Sequence, residues 1–130
     1  MDNKDIVLDL NQIEAIERLL DCAVKPGLIN IDKSDIQNFL KYGKKLILKR
    51  AIIKQAKKEE VEKSELLCNE LHNAHKYLIN IEAGANISLG DIDTIIGAFR
   101  SFEERSFFMF SSTYDEYKTD EFQIDLFIIQ

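Results

Sequence analysis

The chain has 130 residues, of which 45% are hydrophobic and 31% charged, proportions typical of one folded globular domain. Its formal net charge of −6 argues against binding to nucleic acid or to anionic membranes. The sequence has no apolar run of about 18 residues and no basic N-terminal signal, so we expect a cytoplasmic protein without direct membrane contact.

The first predicted element is an amphipathic helix that begins at Asn11 and ends before Pro26 and Gly27. Proline disfavours helical geometry in the residue before it, which sets this end. The apolar positions at helical spacing are Ile13, Ile16, Leu20 and Ala23. A loop is expected at residues 28–32.

A second, short helix is predicted to begin between Asp32 and Asp35. Glycine tolerates the left-handed backbone that often ends a helix, so Gly43 is the expected terminus. The side chains expected to be buried are Ile36, Phe39 and Leu40.

The segment 44–73 is ambiguous. Its apolar triplets Leu46–Leu48 and Ala51–Ile53 fit either a strand or the start of a long helix, and periodicity does not decide between them. From Gln55 onward the composition favours a helix. Its inward residues are expected to be Val61, Leu66, Leu67 and Cys68, and its solvated residues Lys57, Lys58, Glu59, Glu62 and Lys63.

A central strand is predicted at Tyr77–Ile81, because this short β-branched run is apolar on both faces. Gly84 ends it. Ser88 and Asp91 then form a capping box that begins another helix. The apolar stripe of that helix is expected to continue through Phe102 and to end near residue 103.

Two further strands are predicted at residues 106–110 and 122–128, joined as a terminal hairpin. Their aromatic residues are Phe107, Phe108, Phe110, Phe122 and Phe127. Aromatics at this spacing favour sheet core over a ligand pocket, although an uncovered face would become a partner-binding patch. The predicted fold class is α+β, a small mixed sheet with helices packed against it.

Few residues indicate chemistry on local grounds. The sequence contains no glycine-rich phosphate loop with its lysine and no catalytic triad pattern. Cys68, His72 and His75 raise the question of zinc, but a continuous helix would separate the first and last by roughly 10 Å along its axis. One tetrahedral ion could not reach both, so no metal site is expected.

The carboxylates of Asp32 and Asp35 are the remaining candidates. On local grounds they favour a structural role, because Asp32 can cap the second helix and Asp35 lies in its first turn. A catalytic role for the pair stays open at this point.

Residues 26–36 have the sequence Pro-Gly-Leu-Ile-Asn-Ile-Asp-Lys-Ser-Asp-Ile, between two predicted helices. This segment resembles the catalytic loop of the FtsZ and tubulin family, which has the form Asn-x-Asp-x-x-Asp after Gly-Leu-Ile. Asn30, Asp32 and Asp35 match that pattern. The resemblance continues through residues 77–81, through the following helix and through the closing pair of strands.

The resemblance implies a chain equivalent to the C-terminal domain of that family. Residues 1–26 would be the end of the long central helix, residues 27–35 the catalytic-type loop and residues 36–130 the α+β body. The family's N-terminal GTP-binding domain has no counterpart in this sequence.

In that family, one subunit holds GTP and the acidic loop of the next subunit completes the active site. The resemblance therefore implies that Asp32 and Asp35 position the attacking water in trans, while Asn30 orders the loop. It implies no cofactor on this chain and GTP on a partner subunit. The implied partner is an FtsZ-like or tubulin-like subunit, or a second copy, in a polymer of the cell-division cytoskeleton.

A function of a different class remains open. The chain would then be a stand-alone α+β protein-binding module or homodimer, with no polymer or GTPase role. In that case Asp32 and Asp35 act only as helix caps.

Overall fold

The computed structural model describes residues 6–9, 16, 20, 27–41, 43–68, 70, 71, 74, 76–99, 107–116 and 120–130. In these residues the strands are β1 (Ile6–Asp9), β2 (Lys45–Ile53), β3 (Lys76–Ala83), β4 (Phe107–Tyr114) and β5 (Phe122–Ile129). The helices are α1 (Lys33–Phe39), α2 (Lys58–Lys63) and α3 (Leu89–Gly97). The α+β class is confirmed.

The five strands form one mixed sheet in the order β1-β2-β5-β3-β4. β3 and β4 are parallel, and α3 provides the crossover connection that a parallel pair needs. β5 runs antiparallel to both β2 and β3. The predicted terminal hairpin is wrong, because β5 lies between β2 and β3 and does not pair with β4. Residues 124–129 of β5 are buried, which requires an interior position with a layer on both faces.

The ambiguous segment contains a strand. β2 pairs with β5 from Leu46 to Ile53. Among the described residues of this segment, the α-helix predicted from Gln55 onward is limited to α2. Glu65, shortly after α2, has a φ of 66°, which is outside the helical region. The charged residues predicted to lie in solvent are exposed, whereas Val61 and Leu66 are buried.

α1 buries Ile36 and Phe39 as predicted, but it does not extend to Gly43. Its C-cap is Leu40, in ordinary right-handed backbone, and none of the described glycines has a positive φ. The Lys76 ammonium replaces a glycine cap, donating to the carbonyls of Asn38 at 2.8 Å and Lys41 at 3.1 Å. Burial, together with the nearby Lys41 charge, lowers the pKa of Lys76.

The capping box of α3 is confirmed, with Ser88 Oγ accepting from the Asp91 amide at 3.0 Å. The helix ends at Gly97 with Ala98 as its C-cap, so the apolar stripe does not continue as helix. Phe102 lies outside the described residues.

The N-terminal part of the sequence departs from a simple helix. Residues 6–9 form β1 and pair with the first half of β2, so they are not part of a central helix. Ile16 and Leu20 are helical and buried, as the periodicity predicts. The rest of that predicted helix lies outside the described residues.

Apolar clusters fill both faces of the sheet. On one face, α1 and the helical Ile16 and Leu20 cover the side chains of Leu78 and Phe127. On the other face, α2 and α3 cover a larger set that includes Leu126. Burying both faces stabilises the sheet through removal of apolar area from water.

Phe127 is fully buried, which confirms the core interpretation for that aromatic residue. Phe108, Phe110 and Phe122 are half-buried against the larger cluster, and Phe108 stacks on Tyr77 with ring centroids 4.7 Å apart. The side chain of Phe107 lies outside the described residues. Where they are described, these aromatics belong to the sheet core.

A row of polar side chains crosses the sheet in register. Arg50 on β2 pairs with Asp125 on β5, Nε to Oδ1, at 2.6 Å, and the Asp125 side chain is fully buried. Next to Asp125 in register, Asn80 on β3 accepts from Ser111 Oγ on β4 at 2.8 Å. Buried polar groups are costly unless they are paired, so this row helps to fix the register of four strands.

We expect Arg50→Met to lower the free energy of unfolding by about 2 kcal/mol, because Asp125 is left as a buried charge without its cation. Urea unfolding measures this change. Lys54→Met removes an exposed cation just beyond β2 and should change stability by less than about 0.5 kcal/mol. Equal effects of the two substitutions would contradict a stabilising role of the Arg50–Asp125 ion pair. The same role would be contradicted if Arg50→Met/Asp125→Leu failed to recover stability.

Candidate catalytic loop

The segment 27–32 is held against the outer edge of β4. Ile29 forms an isolated antiparallel bridge with Ser112, whose amide donates to the Ile29 carbonyl at 2.8 Å. A Cβ atom at Gly27 would lie 1.7 Å from the carbonyl oxygen of Ser112. Glycine is therefore needed at position 27, because the backbone passes too close to β4 for any side chain.

Asn30 closes the loop onto Gly27. The Gly27 amide donates to Asn30 Oδ1 at 2.9 Å, and Asn30 Nδ2 donates to the Gly27 carbonyl at 3.1 Å. The side-chain amide thus satisfies both backbone groups of one residue and shapes the turn. This geometry fits the expected ordering role of Asn30.

Asp32 and Asp35 form a complete capping box at the start of α1. Asp32 Oδ1 accepts from the Asp35 amide at 3.0 Å, and Asp35 Oδ2 accepts from the Asp32 amide at 3.0 Å. The structural role predicted on local grounds is therefore confirmed. Sequence reasoning missed Ser34, whose hydroxyl donates to Asp32 Oδ1 at 2.7 Å. A serine two residues after the cap was the available signal.

The capping contacts leave part of each carboxylate unused. In the described part of the chain, no hydrogen bond involves Asp32 Oδ2 or Asp35 Oδ1. The Ser34 hydroxyl, followed by the Asp35 amide, lowers the pKa of Asp32, which is exposed and therefore ionised at neutral pH. The loop presents an anionic group that can accept hydrogen bonds from water or face a cation.

The other candidate residues are not assembled into a site. Cys68 is half-buried, and burial followed by the Glu70 side chain raises the pKa of its thiol, which makes it a poor ligand or nucleophile. His72 and His75 lie outside the described residues. Across the described ranges, no three His, Cys, Asp or Glu side chains are placed to hold a metal ion. No helix among those ranges is long and apolar enough to cross a membrane.

Comparison with known proteins identifies the fold. No protein-family model and no curated protein sequence matches the chain. Among solved structures, an FtsZ from M. jannaschii, crystallised as a Trp-to-Tyr mutant, aligns with a TM-score of 0.73 and 22% identity over 92% of this chain. An empty FtsZ dimer from the same organism aligns with a TM-score of 0.68 and 20% identity over 91%. TubZ of Bacillus thuringiensis serovar israelensis, in GDP-form protofilaments, aligns with a TM-score of 0.63 and 12% identity over 92% of this chain.

These structural alignments establish the fold. The chain has the fold of the FtsZ and tubulin C-terminal domain, which confirms at the level of structure the resemblance that the acidic loop first indicated. The alignments cover 38%, 36% and 34% of the three matched chains, so this sequence spans well under half of each.

We expect Gly27→Ala to destabilise the protein by about 2 kcal/mol or more, because the added methyl group would overlap the backbone of Ser112. Gly90→Ala is the matched control, since a Cβ there meets its nearest atom at 3.6 Å, in the exposed first turn of α3. That change should be neutral or stabilising by up to about 1 kcal/mol. Urea unfolding measures both, and hydrogen exchange at the Ser112 amide should quicken only in Gly27→Ala. Unchanged exchange would contradict the docking of the loop.

The lowered pKa of Asp32 predicts a specific pH dependence. A carboxylate whose pKa is lower in the folded state contributes stability above its unfolded value of about 3.9 and loses it as pH falls through the folded pKa. Asp32→Asn keeps an acceptor for the cap and removes the titration. The stability difference between wild type and variant should therefore be constant near neutral pH and fall below about pH 4.

Urea midpoints between pH 7 and pH 3 measure this difference. Ser34→Ala removes the largest cause of the lowered pKa, so it should reduce the pH-dependent part of the Asp32 contribution. A stability difference between wild type and Asp32→Asn that grows as the pH falls would contradict the predicted direction of the pH dependence.

Proposed function

We propose that the chain is a relative of the FtsZ and tubulin cytoskeletal GTPases, and that it acts by longitudinal contact with a neighbouring subunit. In this proposal the loop 27–35 faces GTP held by that neighbour. The observation that supports it best is the acidic loop itself, fixed by β4 and α1 within the FtsZ-type fold. The loop sequence and the fold are independent indications of the same family.

The proposed chemistry uses the free oxygens of the loop. Phosphoryl transfer to water needs an oriented nucleophile and a compensated charge field more than covalent participation by the protein. Asp32 and Asp35 would accept hydrogen bonds from the attacking water through the oxygens that the capping box leaves unused. Asn30 would act as a positioning residue, because its amide shapes the turn at Gly27.

The nucleotide would belong to the partner. The sequence of this chain has no glycine-rich phosphate loop with which to hold the nucleotide itself. We therefore propose that the chain contributes to hydrolysis only in trans, with GTP on the neighbouring subunit. The FtsZ dimer and TubZ protofilaments are precedents for assembly among the proteins it resembles in fold.

The test measures GTP turnover and polymer sedimentation of M. jannaschii FtsZ with and without this chain. Asp32→Asn/Asp35→Asn is the decisive variant, because each asparagine oxygen can still accept the capping hydrogen bond while both charges are lost. We expect the wild-type chain to change the GTP turnover rate of FtsZ. The change caused by the double variant should be smaller by at least about tenfold. Both proteins should sediment equally with the polymer.

Asp91→Asn is the matched control, since it makes the same substitution in the capping box of α3. It should behave like wild type in both assays. A double variant that retains the full effect on turnover would refute the catalytic role, and the carboxylates would then be helix caps alone. Absence of any effect on turnover and of co-sedimentation would refute the longitudinal contact with an FtsZ-type GTPase.

A further inference from the structure

Lys33 is a cation within the acidic loop. It lies between Asp32 and Asp35 in the sequence, is exposed, and is the first residue of α1. From residue 27 to residue 40 the sequence contains no other Lys or Arg. The loop therefore carries two carboxylates and one ammonium group within four residues.

The ammonium group of Lys33 is not used within the described part of the chain. Neither a hydrogen bond nor an ion pair there involves it. The capping contacts of Asp32 and Asp35 are made with backbone amides and a serine hydroxyl, so Lys33 contacts neither carboxylate. A lysine in a helix can pair with an acidic residue three or four positions away, but Ile36 and Gln37 occupy those positions after Lys33.

The position of Lys33 is also unfavourable for a cation. The N-terminus of a helix carries partial positive charge, so a lysine at the first helical position reduces local stability. α2 also begins with a lysine, Lys58, but that helix has Glu62 four positions later, where α1 has Gln37. A residue that opposes the local preference without a compensating contact in the fold indicates a role outside the fold.

We propose that Lys33 is a further residue of the candidate catalytic loop, and that its ammonium group binds the terminal phosphate of GTP on the neighbouring subunit. This inference rests on the proposed function, because it needs a nucleotide in trans. Lys33 follows Asp32 directly, so the two Cα atoms lie roughly 3.8 Å apart. A loop that brings the carboxylates to the attacking water would thus bring the ammonium group to the phosphate that is attacked. Lysine commonly binds phosphate as a point charge.

The role of Lys33 in this proposal is electrostatic. In hydrolysis the oxygen of water bonds to the γ-phosphorus and the bond from that phosphorus to the bridging oxygen breaks, which gives GDP, phosphate and a proton. Lys33 would keep its own proton throughout and compensate the charge on the phosphoryl oxygens. Asp32 and Asp35 would orient the water, so the cation and the two carboxylates would have separate tasks.

Binding of this chain to M. jannaschii FtsZ loaded with GTPγS or with GDP tests the proposal, because only GTPγS has a third phosphoryl group. We expect the wild-type chain to bind the GTPγS form more tightly. Lys33→Gln should weaken that binding by at least about tenfold, as the loss of a charged hydrogen bond predicts, and binding to the GDP form by less than about twofold. Lys33→Arg keeps the charge and should bind within about threefold of wild type.

Lys58→Gln is the matched control, since it makes the same substitution at the first residue of α2. It should bind and act like wild type. Both glutamine variants remove a cation from a helix N-terminus, so neither should lower the urea midpoint of unfolding. In the GTP turnover assay, the change caused by the chain should be at least about tenfold smaller with Lys33→Gln and should be retained with Lys33→Arg.

The outcomes separate this inference from the proposed function. A Lys33→Gln variant that binds and acts like wild type would overturn the inference and leave the test with Asp32→Asn/Asp35→Asn unaffected. An equal loss of affinity for the GTPγS and GDP forms would also overturn it, because the cation would then contact protein and not the terminal phosphate. If the wild-type chain binds without changing turnover, the catalytic role fails, while a preference for GTPγS that depends on Lys33 still supports the phosphate contact. A wild-type chain that binds neither form would overturn both proposals.

Discussion

The burial of β5 in the middle of the sheet is the constraint on which the rest of the structure depends. Among the described strands, β5 alone pairs with both β2 and β3, and so it joins the first half of the sheet to the β3–α3–β4 unit. Its residues 124–129 are buried, which ties the packing of helices on both faces to this one strand. Asp125, near the middle of β5, accepts a hydrogen bond from Arg50 within an ion pair. This pair adds a directional contact to a strand whose other buried residues are apolar.

The acidic loop depends on that arrangement through β4. β4 is held parallel to β3, and the loop rests on the outer edge of β4 through Ile29 and Ser112. Gly27 allows the approach, and Asn30 then fixes the turn that leads to the first residue of α1. The capping contacts therefore hold the two carboxylates in defined positions at the start of α1. The capping box uses one oxygen of each carboxylate, so capping leaves the other oxygen of each for the proposed chemistry.

Local signals predicted much of this from sequence alone. The capping box at Ser88 and Asp91 and the helix cap at Asp32 are local signals of fixed spacing, and both were confirmed. The central position of β3 followed from its continuous apolar run. The acidic loop pattern also led to the correct fold. Its residues have local structural roles, because Asn30 closes the turn onto Gly27 and Asp32 caps α1.

What the sequence did not predict was long-range. Whether Lys45–Ile53 is a strand depends on its pairing with β5, about 75 residues away. The apolar triplets of this segment do not indicate which distant strand it pairs with. The hairpin prediction failed for the same reason. Strands that are adjacent in sequence, such as β4 and β5, usually pair, but β5 lies between β2 and β3, two strands that are more distant in the sequence. The end of α1 was set by Lys76, a residue far along the chain, and not by the nearby glycine.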